Sequence, residues 1–150
     1  MSTRAIIGYR NNDGTVMGAY NHSDGYPTHL LREIVAIVER DGFEGASSTL
    51  VQYADGWSFV DSTAKEDASN HVLEGYGRFY LDKDDPSLYS DSIEQLVKDS
   101  DAQWAYVFDT DARTLEVIDV WGDMKSLVLE ESELSDLDFE KLASEFSSPI

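Results

Sequence analysis

Gln103-Trp104-Ala105-Tyr106-Val107-Phe108 and Thr114-Leu115-Glu116-Val117-Ile118-Asp119-Val120-Trp121 are two β-prone runs separated by Asp109-Thr110-Asp111-Ala112-Arg113. Aromatic and β-branched residues bounded by an Asp-rich turn are the mark of a hairpin. In the second arm Leu115 and Val117 nearly alternate with Glu116 and Asp119, which predicts an antiparallel sheet with one wet face. A second hairpin opens the chain. Thr3-Arg4-Ala5-Ile6-Ile7-Gly8-Tyr9 and Thr15-Val16-Met17-Gly18-Ala19-Tyr20 flank the tight turn Asn11-Asn12-Asp13-Gly14, and Asn/Asp/Gly turns are the strongest local hairpin signal.

Helices follow from the spacing of apolar residues. Leu30, Leu31, Ile34, Val35, Ile37 and Val38 recur at helical intervals after Asp24-Gly25-Tyr26-Pro27-Thr28. Thr28 is placed as the N-cap of a helix starting near His29, and Gly42 as its stop. Glu44 to Gln52 reads as a second short helix, and Trp57-Ser58-Phe59-Val60 as a buried strand or loop anchor. Val72 to Leu81, with Gly75 and Gly77 inside it, reads as one irregular strand. Asp85-Pro86-Ser87 opens a helix running through Leu88, Ile93, Leu96 and Val97 to just before Asp101. Ser135-Asp136-Leu137-Asp138 resembles a capping box before an acidic last helix at about 135–146, closed by Pro149. No repeat, linker or low-complexity tract interrupts the chain. The expectation is one α+β domain over 1–150: a mostly antiparallel sheet built from two β-hairpins, covered by about three helices in two layers.

At 150 residues the chain is long enough to bury a sizeable core without staples. Cysteine is absent, so neither disulfides nor thiolate metal sites support it, and a reducing compartment such as the cytoplasm fits. The longest apolar runs, such as Ile34-Val35-Ala36-Ile37-Val38, are far below the roughly 20 residues that span a bilayer. The start carries no apolar signal core, so a soluble chain without a membrane partner is expected.

Charge is the strongest compositional feature. Thirty acids stand against 11 bases, a net charge of -19 with a pI near 4.2. Residues 1–40 are balanced by Asp13, Asp24, Glu33 and Glu39 against Arg4, Arg10, Arg32 and Arg40, so the excess lies in 41–150. Direct nucleic-acid binding needs clustered Lys and Arg to neutralise phosphates, and no such cluster is present. The acidity fits plain solubility, attraction to a basic partner surface including DNA mimicry, or adaptation to high salt.

Ser2-Thr3-Arg4, the Asp13-Gly14 turn and Tyr20-Asn21-His22-Ser23-Asp24-Gly25-Tyr26-Pro27 together resemble a set of small bacteriophage- and prophage-encoded proteins of uncharacterised activity. Glu74-Gly75-Tyr76-Gly77 and Trp104-Ala105-Tyr106-Val107-Phe108-Asp109 look like further segments of those proteins, so the resemblance reaches from the start to about residue 121. It implies a phage-type accessory protein acting in a bacterial cytoplasm, and it carries no catalytic residue with it.

His22 and Asp24 are two apart near a strand end, and His29 follows. Imidazole and carboxylate can hold a divalent metal or form an acid/base pair. The structural alternative makes Asp24 and Gly25 a turn, lets Tyr26 pack, and uses Pro27 to fix the start of the helix. Tyr20, His22, Asp24, Tyr26 and Tyr76 are the candidate residues of a ligand- or partner-binding pocket. Ser2 invites comparison with N-terminal-nucleophile hydrolases, but the chain is short for their four-layer fold. Asp109-x-Asp111-x-x-Thr114 is one residue too long for the aspartate-nucleophile phosphatase spacing. Asp82-Lys83-Asp84-Asp85 would need Gly and Glu where Ser87 and Ile93 stand to be a calcium loop. No Walker loop, dinucleotide fingerprint, zincin motif or nucleophile elbow appears. The expectation is therefore a non-enzymatic accessory protein, with no cofactor and no metal, that binds a host protein with a basic surface. A small-ligand binder such as a nucleotide-signal sponge is the alternative, with Arg4, Arg10, Arg32 and Arg78 as its only plausible phosphate contacts. A small metal- or His/Asp-dependent hydrolase comes third, and composition leaves the oligomeric state open.

Overall fold

The computed structural model describes residues 3–52, 56–81, 91–146 and 148. In chain order its elements are β1 (Ala5–Arg10), β2 (Val16–Asn21), α1 (Arg32–Asp41), α2 (Phe43–Gln52), β3 (Trp57–Val60), β4 (Val72–Leu73), β5 (Gly77–Phe79), α3 (Ile93–Ser100), β6 (Trp104–Asp109), β7 (Thr114–Asp119), β8 (Lys125–Glu130) and α4 (Phe139–Ser144). A π-helical turn, Pro27–Leu31, runs into α1, and a 3-10 turn, Glu131–Asp136, precedes α4. The architecture is α+β.

Both expected hairpins form. Asn11 N–H donates to Thr15 O at 2.8 Å while Asp13 Oδ1 accepts from Thr15 N–H and Oγ–H. Across the second hairpin Asp109 Oδ1 accepts from Ala112 N–H at 3.0 Å, and Arg113 takes the left-handed φ of 58°. The two hairpins are not the whole sheet, however. Among the described residues it is mixed, with eight strands in the order β4-β5-β3-β2-β1-β6-β7-β8, five neighbouring pairs antiparallel and two parallel. β1 and β6 join the hairpins in parallel, from Ala5 opposite Trp104 to Tyr9 opposite Phe108, and β2 meets β3 in parallel at Asn21 and Trp57.

Helices cover both faces, so the molecule has three layers rather than two. Side chains alternate across a strand. Ala5, Ile7, Trp104, Tyr106 and Phe108 accordingly pack with α1, α2 and the C-terminal Leu134, Leu142 and Phe146. Ile6, Val16, Ala105 and Val107 pack on the other face against Ile93, Leu96 and Val97 of α3. Among the described residues six helical segments, four α-helices and the two turns, do this covering, where about three helices were expected. The central β6 is buried from Trp104 through Phe108, as a strand with two covered faces must be. The expected wet face is lost with it. Asp119 is 0% exposed, on the same face of β7 as Leu115 and Val117, and accepts from Gly122 N–H at 2.9 Å and Ser148 N–H at 3.1 Å, which satisfies the buried carboxylate.

Several boundaries differ from the sequence reading for local reasons. Thr28 is not an N-cap: the π-turn starts after Tyr26 without a side-chain cap, so Thr28 already lies inside it, behind Pro27, whose fixed φ suits a first helical position. Gly42 does end α1, at φ 86°. Val72–Leu81 is a tight β4–β5 hairpin rather than one strand, because Gly75 and Gly77 adopt φ of 80° and 145°, which only glycine adopts freely. Ser92 caps α3 by accepting from Gln95 N–H, and left-handed Asp101 closes it. The proposed start of that helix at Asp85 to Leu88 lies outside the described residues, as do Ser2, the Asp82–Asp85 run and Pro149. At the C-terminus the capping box is Glu130 with Glu133 at the 3-10 turn, and Asp138, not Ser135, caps α4. Among the described residues no helix is long and apolar enough to cross a membrane.

Candidate functional site

The Tyr20–Pro27 stretch leaves the end of β2 alongside β3, where His22 N–H donates to Trp57 O and Ser23 N–H to Ser58 O, both at 2.9 Å. Tyr20 lies opposite Ile6 and so shares the α3 side of the sheet with it. Its hydroxyl and His22 Nδ1 are hydrogen-bonded at 2.7 Å. The imidazole stacks on Tyr80, ring centres 4.8 Å apart and planes 24° apart, and Tyr20 meets Tyr80 edge-on at 5.1 Å. Tyr80 is placed by its own N–H donating to Gly56 O at 3.0 Å. Tyr20, His22 and Tyr80 thus form one aromatic cluster whose outer two rings are half-buried.

The rest of the motif serves the backbone. Asp24 is exposed at a left-handed φ of 56°, a conformation that Asp tolerates better than most residues, and no hydrogen bond joins it to His22. Gly25 is buried, donates to Thr3 O at 2.9 Å and accepts the buried Tyr106 hydroxyl at 2.7 Å. Tyr26 packs against the α1 side of the core and meets His29 edge-on at 6.3 Å. Two buried polar atoms here, Asn21 Oδ1 and His29 Nε2, have no hydrogen-bond partner among the described residues.

Tyr76 does not join the other candidates. It belongs to the α1-side core and donates to Asp41 Oδ2 at 2.5 Å, at the last residue of α1. Tyr26 stands just before the π-turn, at the other end of this helical stretch, about 20 Å away at helical rise. The pocket expected from Tyr20, His22, Asp24, Tyr26 and Tyr76 is therefore divided between two faces of the sheet and two ends of a helix. Sequence reasoning placed Tyr80 on a strand without assigning it to the site, since no local signal ties position 80 to positions 20 and 22.

Around Tyr76, Arg40 binds Asp41 through two nitrogens at 2.9 and 3.0 Å and reaches the carbonyls of Ser62 and Gly75, each at 2.9 Å. The guanidinium first, then the Tyr76 hydroxyl, hold the Asp41 pKa down to about 2. A carboxylate whose folded pKa lies below its unfolded 3.8 contributes stability that is fully present above that value and is lost as pH falls through about 2. With Asp41 partly open to water the contribution is small. Urea midpoints measured between pH 5 and 2 are expected to fall less steeply in Asp41→Asn than in the parent chain.

Among the described residues no three His, Asp or Glu side chains are grouped to hold a metal ion. The four arginines named as phosphate contacts sit on four separate partners. Arg4 pairs with Asp101, Arg10 with Glu116 and Arg78 with Asp67, while Arg32 lies 4.0 Å over the Phe139 ring. They do not converge on the Tyr20–His22–Tyr80 cluster. Compared with known proteins, the chain matches no family model, no curated protein and no solved structure.

Proposed function

We propose that this chain is a non-enzymatic binding protein of phage-accessory type, which modulates a host protein by presenting an acidic surface to a basic one. One observation carries the reading: the fold uses its arginines internally. Besides the four already placed, Arg40 pairs with Asp41 and Arg113 with both Glu44 and Glu131. All six guanidiniums are thus engaged, and the acid excess is left to face solvent. It concentrates at the C-terminal end, where residues 123–145 hold eight acids and two lysines. A surface of one sign steers oppositely charged partners and loses its reach at high salt. Capture from a bacterial lysate on the immobilised chain is expected to retain basic protein at low salt and release it at high salt, with His22→Ala behaving like the parent. Retention that ignores salt, or no retention, counts against the reading.

A small-ligand binder such as a nucleotide-signal sponge draws support from the half-buried His22–Tyr80 stack, since a base can lie on such rings. Thermal shift with nucleotides and cyclic dinucleotides tests it. Absence of stabilisation well above micromolar concentrations removes it.

A further inference from the structure

The β8 edge of the sheet carries a second feature, independent of the motif residues. β8 ends the strand order, and among the described residues no strand pairs with its outer side. Glu130 N–H donates not to β7 but to Glu133 Oε1 at 2.8 Å, whereas Glu131 N–H reaches back to Arg113 O. Alternate residues of an antiparallel strand direct their backbone groups to opposite sides. Ser126 and Val128, two and four residues before Glu130, therefore direct theirs outward. Beside this open edge runs a groove of about 390 Å³ between β8, the 3-10 turn and α4, within the roughly 300–1,000 Å³ of ordinary ligand sites. Its floor is apolar, with Leu127, Leu129, Leu137 and Leu142, and Val128 stands 54% exposed at its margin. The polar lining is Glu133, Asp136, Asp138 and Glu145 against Lys141 alone. Asp136 and Glu145 make no ion pair among the described residues.

From this we infer that β8 and its groove take up an extended basic segment of a partner protein by strand addition. The backbone of that segment pairs with Ser126 and Val128. Its lysine or arginine stems lie along Leu137 and Leu142 with their charges at the carboxylates, and its alternate, apolar side chains rest beside Val128. Strand addition draws affinity from main-chain hydrogen bonds and specificity from alternate side chains, and long basic side chains suit an apolar floor with an acidic rim. Charge decides against a second copy as the occupant, since two chains of net charge -19 would bring like-charged rims together. The inference rests on the acidic-surface reading and gives it a location.

The probe is the capped octapeptide of alternating Lys and Val, titrated calorimetrically into the full chain, with its Glu/Val counterpart as control. The parent chain is expected to bind the Lys/Val peptide in a salt-dependent way and to ignore the Glu/Val peptide. Val128→Pro removes an outward donor without touching the β7 ladder, which is where an edge strand tolerates proline. It is expected to weaken binding about tenfold, the size of one good hydrogen bond to a site. Asp136→Asn with Glu145→Gln is expected to weaken it several-fold and flatten its salt dependence. A peptide N-methylated on every residue keeps every side chain but has no main-chain N–H to donate, and its failure to bind supports the inference even if Val128→Pro folds poorly. Binding that tolerates both the proline and the N-methyl groups overturns strand addition. So does a parent chain that sediments as a dimer which Val128→Pro dissociates, since the edge would then belong to a second copy. In the lysate experiment, salt-sensitive capture that Val128→Pro leaves intact refutes the location alone; loss of salt-sensitive capture by the parent chain refutes the functional reading itself.

Discussion

Gly25→Ala is expected to lower stability by about 2–4 kcal/mol, the sum of overpacking against backbone and a weakened buried hydrogen bond. A Cβ at this position would stand 2.7 Å from both Thr3 O and Ala5 Cβ. Neither is the end of a flexible chain, so the segment has to lift off β1. Lifting it breaks the contact of Gly25 O with the Tyr106 hydroxyl, which is wholly buried in the strand that joins the two hairpins. Burial alone pushes the Tyr106 pKa well up, so the phenol stays a proton donor. Tyr106→Phe isolates this component: it leaves Gly25 O buried without its donor and is expected to cost about 1–3 kcal/mol. Asp24→Ala, one residue earlier but exposed, moves a left-handed position to a residue that tolerates it less and is expected to cost about 1 kcal/mol. Urea denaturation of the three variants gives the order directly. If Gly25→Ala unfolds with the parent chain, the packing argument fails and the Asp24-Gly25 turn is not the scaffold described here.

This stretch also shows what one sequence can and cannot say. Asp24 and Gly25 were legible as a turn because left-handed and close-approach positions select those residue types locally. Their purpose was not legible, because it depends on Tyr106, 81 residues away. The same division runs through the fold. Turn chemistry at Asn11–Gly14 and Asp109–Arg113 gave both hairpins, and helical spacing gave Ile34 to Val38. The parallel β1–β6 pairing has no local signature, since it joins strands with about a hundred residues between them. The continuous apolar run Trp104 to Phe108 was the available clue, because only a strand covered on both faces is apolar throughout. Glu116 masked that clue in β7, where its alternation with Leu115 and Val117 imitates a wet face. At the candidate site, alternation ties His22 to Asp24, which the structure leaves unbonded to it, whereas Tyr20 and His22, two apart at the end of β2, are hydrogen-bonded. Tyr26 and Tyr76 were grouped by residue type alone, and helix length then separates them. β8 was not read as a strand at all: Lys125-Ser126-Leu127-Val128-Leu129-Glu130 is short and charged at both ends, as edge strands that resist uncontrolled pairing tend to be.

Trp57→Ala is expected to be the most damaging single truncation in the β3–β5 half of the sheet. The side chain is 0% exposed, lies nearly parallel to Phe79 with ring centres 5.3 Å apart, and approaches Tyr76 at 6.5 Å. Removing a buried indole leaves a cavity that neighbours fill only in part, at about 3–5 kcal/mol. A second cost is specific to this residue. Trp57 Nε1 donates to Leu50 O at 2.9 Å, and Leu50 is in the last turn of α2, where carbonyls have no partner within the helix. Trp57→Phe keeps most of the ring packing but orphans that carbonyl, so it is expected to cost about 1–3 kcal/mol. In a chain of this length the alanine variant corresponds to a melting temperature lower by on the order of 10 °C. The damage should be local before it is global. Trp57 stands opposite Asn21 where β2 pairs with β3, and opposite Phe79 where β3 meets β5, which also pair at Phe59–Arg78 and Val60–Gly77. Amide exchange is therefore expected to accelerate at Gly77–Phe79 and at His22 and Ser23, whose N–H groups donate to Trp57 and Ser58, while the β1–β6–β7 centre keeps its protection. Uniform acceleration across β6 and β7 would show instead that the sheet opens as one unit, with no separable β3–β5 half beneath the Tyr20–His22–Tyr80 cluster.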